Sequence, residues 1–315
     1  TTQQFATIGT TGFTALTSRQ IAAIETRDVA VLSSANLAVL NTLQLKALST
    51  QQIAALSTSS LLGLSTTNLS ALSSAQLTGL TTTQIAGLST FQIASLVTGS
   101  LKNLTPGQIA AIETRDVSVL NSAQIAALSN TQVQALSSLQ LNALTSNQLP
   151  NLSTTIMSQL TTSQLTSLDR TRLNGLSEST LGGLSAAFVK SLTSTQIASL
   201  TTLSLASLNT AAIGSLTDSQ IAALTTDQVS KLTSAAVKAL SSSQIKAITS
   251  TDLAVLSTSN LAELNAPQVQ ALTPQQIVAL TTAQIVGLTT TTLKAMTANQ
   301  VSSLETQDIS LLGSS

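Results

Sequence analysis

The chain has 315 residues, a formal net charge of zero, 8% charged and 1% aromatic residues, and no His, Cys, Trp or Tyr. The missing residue types remove the usual general base, the thiolate nucleophile and the soft metal ligands. With no basic stretch and almost no aromatic platforms, the chain also lacks the means of binding nucleic acid by counterion release or base stacking.

Along the chain, apolar residues mark a frame of eight. From Phe5 and Phe13 one recurs at every eighth position, through Ile21, Val29, Leu37, Leu45 and Ile53 and on to Ile277, Ile285, Leu293, Val301 and Ile309. A second follows each of them by three, as at Ile24, Leu32, Leu40, Leu48, Leu304 and Leu312. If the first is lettered a and the second d, the frame holds without a slip from residue 5 to residue 312. Ile21, Ile24, Leu128, Leu224, Ile277 and Leu280 are representative core positions of this repeat. Position e is nearly always Ser, Thr or Asn, f is mostly Ser or Thr, b and c are small, and h is Gln in about half the octads.

A spacing of three places a and d on one face of a helix and on opposite faces of a strand. A continuous helix fails as well, because eight residues at about 100° each overshoot two turns by roughly 80° and the apolar stripe would spiral. The pattern therefore predicts one short helix per octad. Ser, Thr or Asn at e with Gln at h forms a capping box. Pro106 and Pro274 fall at f, the first helical position after such a cap. Asp28, Asp116, Asp252 and Asp308 fall at h, where an acid complements the helix N-terminus. The predicted helix runs from f to d, about two turns, with e as both stop and next start. Pro150, at b, is expected to disturb its own octad.

Helices this short are unstable alone, so the octads must stack, with a and d on a shared axis and Ser/Thr corners outward. The expected fold is an all-α repeat solenoid of very short helices, spanning residues 1–315 as a single continuous array that is all or part of a longer one. The rival is a β-solenoid with sixteen residues per coil, which Thr, Ile and ladders of Gln would suit. Capping boxes, small b and c residues, and Pro at f favour the helical form.

One longer motif repeats. QIAAIETRDV occupies Gln20 to Val29 and Gln108 to Val117, 88 residues or eleven octads apart, and LETQDI follows at Leu304 to Ile309. Glu25, Arg27 and Asp28, their counterparts Glu113, Arg115 and Asp116, and the dense group Asp169, Arg170 and Arg172 are candidate assembly contacts. Local capping and helix-end electrostatics explain the same residues more simply. Paired acids occur without a nucleophile or base, so no catalytic, cofactor-binding or metal-binding residue is expected, and the protein is expected not to be an enzyme. Apolar clusters are four or five residues long, well short of the roughly 20 that span a bilayer. No secretory signal follows Thr1, which is expected of a processed chain or a segment of a longer one.

Stretches such as ALTTAQIVGL, Ala279 to Leu288, resemble the LTTAQIAAL octapeptide arrays of very large exported bacterial proteins labelled adhesin-like or haem-utilisation-like. The resemblance covers essentially the whole chain and implies an extracellular or cell-surface setting. It carries over no haem ligand, since His, Cys and Tyr are absent. The expected role is structural: an extracellular filament, or the stalk of a surface protein, with the chain itself as partner, end to end or laterally. The alternative is a module that binds a cell surface, glycan or ice through the outer Ser/Thr face.

Overall fold

The computed structural model describes residues 2–152, 154–306 and 309–310; Asp308 and Leu312 lie outside them. Among the described residues there is no strand, and each α-helix has only four to six residues. The fold is an all-α repeat solenoid. Thr42–Ala47, Thr50–Ala55 and Ser74–Gly79 show the plan, each running from f to c of its octad.

Here the structure shortens the expected helix. Position d lies outside it, extended, as at Leu48 with φ −66° and ψ 134°. Its N–H still bonds the a carbonyl, Leu48 to Leu45 at 3.2 Å, so the helix closes on a tight last turn. The physical reason is direction: a helical d would continue along the helix axis, whereas an extended d bends the chain and keeps its side chain in the core. The e residue is extended too, as at Ser49 with φ −71° and ψ 163°. Two extended residues thus turn the corner at Leu48 and Ser49, and no described residue has a positive φ.

Successive coils lie against one another. Thr50–Ala55 packs against Thr26–Val29 before it and Ser74–Gly79 after it, each the third helix along. Hydrogen bonds between coils join residues 25 to 31 apart. Packed helices are three octads apart, and the recurring separation of 28 residues joins h of one helix to d at the end of an earlier helix. In that packing, c of one helix lies on f of the helix three octads earlier, as at Gly79 on Thr50 and Gly87 on Thr58. At Gly63 the approach is so close that a Cβ would lie 1.9 Å from the Ser34 carbonyl oxygen.

The described chain forms two compact units, Thr1–Gln164 and Leu165–Ser315. In the first, the a residues Ile21, Leu37, Leu45, Ile53 and Ile85 are at most 1% exposed, and d residues such as Ile24 and Leu128 are buried beside them. In the second, Leu224, Ile277 and Leu280 are likewise buried. Pro150 disturbs its octad as expected: Leu149–Asn151 is a 3-10 turn where the neighbours have α-helices.

Candidate functional site

The feature that sets this solenoid apart is a row of buried amides between coils. Each helix leaves free N–H groups at its start and free carbonyls at its end. Gln84, at h, deals with both. Its Oε1 accepts the Thr81 backbone N–H at 2.8 Å, while the Thr81 hydroxyl accepts the Gln84 N–H at 3.1 Å. This is the capping box the sequence predicted. Its Nε2 then reaches into the previous coil, donating to Leu56 O at 2.6 Å and Ile53 O at 2.9 Å. Those acceptors are the d and a carbonyls at the end of Thr50–Ala55. One side chain therefore caps the N-terminus of its own helix and the C-terminus of another, and its amide is fully used.

The same two reaches, 28 and 31 residues back, recur in both units. Gln76 donates to Leu48 and Leu45, and Gln108 to Leu80 and Leu77. Gln228 donates to Leu200 and Ile197, and Gln276 to Ile248 and Ile245. All of these glutamines are nearly fully buried, where an unpaired amide would be costly. Even Gln148, in the octad that Pro150 distorts, keeps its bonds to Leu120 and Val117.

Other residues at h make parts of the same contact. Asn68 and Asn260 each donate once, to Leu40 and Leu232, both at 2.6 Å. The Ser60 hydroxyl donates to the Leu32 carbonyl. Where Ala212 occupies h, the amide is supplied from e: Asn209 Nδ2 donates to Leu184 O at 2.9 Å and Gly182 O at 2.8 Å. Buried Asp116 and Asp252 cannot donate as carboxylates. They accept instead from a threonine at f, 26 residues earlier: Thr90 at 2.6 Å and Thr226 at 2.8 Å. Thr2 serves Asp28 in the same way at 2.6 Å.

The sequence reading assigned Gln only to capping and missed its second role. A signal was present. A capping box accepts Glu as readily as Gln, and a helix N-terminus favours the charge, yet none of the chain's Glu residues stands at h. Exclusion of Glu marks a position where N–H donors are needed.

The charged candidates each lie within their own octads. Arg27 pairs with Glu25 at 2.6 Å and approaches Asp28 at 4.0 Å; Arg115 pairs with Glu113 at 2.8 Å and Asp116 at 3.6 Å. Glu25 and Glu113 occupy the cap position without making a side-chain cap bond. Asp169 caps Arg170–Asn174 through the Arg172 N–H at 2.9 Å, and its other oxygen meets the Arg172 guanidinium at 3.1 Å. Arg170 is exposed on the first turn of that helix. The ion pairs of each group join residues of one octad. Among the described residues no three acidic side chains gather as a metal cage would require, and no helix is long and apolar enough to cross a membrane.

Residues 21–58, 109–146, 204–234 and 245–282 match the ALTTAQ repeat, together just under half the chain. The ALTTAQ repeat thus recurs at four places along the array of octads. Read at Ala279–Gln284, the six letters run from c to h and end on a ladder glutamine, Gln284, bonded to Leu256 O at 2.7 Å. No curated protein matches the chain.

Proposed function

We propose that this protein is a non-enzymatic structural element, an octad solenoid that serves as an extracellular filament or as the stalk of a bacterial surface protein. The observation that carries the reading is the direction of the amide ladder. In both units, Gln N–H groups point to an earlier helix, whose terminal carbonyls accept them. Donor and acceptor faces of that kind are complementary, so a coil of one copy meets in a second copy the chemistry it already uses internally. Such a heterologous contact extends without limit unless it closes into a ring. The low charge adds little repulsion against association. The extracellular setting is supported by the likeness to exported bacterial arrays.

Electron microscopy of the purified protein tests the role. Uniform filaments whose width matches one solenoid support it. Dispersed particles at all concentrations overturn self-assembly, and if these bind a glycan array the protein is a surface-binding module instead. Protease accessibility on intact cells tests the location: protection until lysis would place the protein inside.

A further inference from the structure

The second unit holds an internal site where the ladder lacks its amide. At Ala236 position h is buried and has no polar atom in its side chain. The register assigns the carbonyls of Leu208 and Leu205, 28 and 31 residues back, to this position, by analogy with Gln228 on Leu200 and Ile197. Among the described residues no side-chain amide reaches either carbonyl, and the Thr233 N–H, which a Gln at 236 would cap, has no oxygen of that kind to bond. Asn209 rescues the octad of Ala212, but the cap before Ala236 is Thr233, whose hydroxyl is used on the Ala236 N–H at 3.2 Å. A cavity of about 30 Å³ opens at this point, lined by Leu205, Leu208, Thr233 and Ala236.

We propose that this cavity is a specific water-binding site. A water needs roughly 10–15 Å³ by this measure and two to four polar partners. Here one water accepts from the Thr233 N–H and donates to the Leu208 and Leu205 carbonyls, making the three bonds that a Gln amide makes elsewhere. The site is the gap between coils rather than the helix end, because the two carbonyls belong to the preceding coil. The water holds the coils in register where the sequence gives up its amide.

A crystal structure at a resolution that shows ordered solvent, of the full chain and of Ala236→Gln, tests this. The expected result is water density bonded to Leu208 O and the Thr233 N–H in the parent, replaced by the amide in the variant. Thr233 amide exchange should then slow roughly five- to tenfold in Ala236→Gln, about the factor one net hydrogen bond is worth. Ala236→Leu supplies the control: it fills the space and excludes water without restoring a bond, so it should melt below Ala236→Gln. An empty cavity in the parent, or a Leu variant as stable as the Gln variant, overturns the proposal.

Discussion

Two stretches of the chain share one apolar frame and differ in what lies beside it. From Ser73 to Leu96, three consecutive octads carry Gln76, Gln84 and Gln92, and each bonds the d and a carbonyls of the coil before. From Thr201 to Leu240, position h reads Ser204, Ala212, Gln220, Gln228 and Ala236, so three of five h residues lack an amide, and at Ala212 a neighbour, Asn209, supplies one. Yet Leu77, Ile85 and Ile93 in the one and Leu205, Ile213 and Val237 in the other are all at most 2% exposed. Apolar burial therefore fixes the path of the chain in both stretches, being non-directional. The directional contacts that lock one coil's register on the next come from the amide, and they can be interrupted locally without unwinding the frame.

The comparison breaks most sharply at Gln84→Glu. The carboxylate keeps the cap but turns an acceptor toward the Ile53 and Leu56 carbonyls, leaving a buried charge without compensation at a cost of about 3–5 kcal/mol. Loss of the helical circular-dichroism signal at lower urea than the parent would show it. The deficit should shrink as pH falls, because a protonated Glu regains one donor. An unchanged melt at neutral pH would mean the amide N–H groups are dispensable.

Gln84→Leu is milder and isolates the hydrogen bonds from the charge. It leaves the Thr81 N–H and two carbonyls without their amide, costing about 1–3 kcal/mol for the buried unpaired groups. Its value lies in the contrast with Ala236: removing the amide at 84 must destabilise, whereas adding one at 236 must stabilise. Equal signs at the two positions would remove the distinction between the stretches. Gly63→Ala tests the coil-on-coil packing rather than the ladder. Its Cβ would collide with the Ser34 carbonyl, and overpacking of that kind costs about 1–3 kcal/mol. Amide exchange should loosen around Ser34 and Gly63 together; loosening confined to residue 63 would argue against coil-on-coil contact there.

Most of the fold was legible because its causes are local. Thr81 and Gln84 announce a cap three residues apart, Pro106 and Pro274 mark helix starts, and Pro150 marks the one described octad without an α-helix. The inter-coil chemistry was not, because Gln84 and Leu56 are 28 residues apart and no spacing within an octad relates them. That helices three octads apart pack together follows from how the extended corners turn the chain, a geometric quantity that composition does not encode. The charged motif drew attention by rarity, but rarity located the ion pairs Arg27–Glu25 and Arg115–Glu113, each confined to one octad.

The smallest expected effect separates the two jobs of the amide. Thr81→Ala removes the hydroxyl that accepts the Gln84 N–H but leaves the Gln84 side chain free to bond the Thr81 N–H and both carbonyls. Loss of an N-cap costs about 0.5–2 kcal/mol. Because the amide stays anchored at three points, the value should fall at the low end of that range and below that of Gln84→Leu. Exchange at the Gln84 N–H should speed up while the Leu56 and Ile53 contacts persist. If Thr81→Ala were as damaging as Gln84→Leu, the hydroxyl would be what holds the glutamine in place, and cap and ladder would be a single cooperative unit rather than two separable contacts.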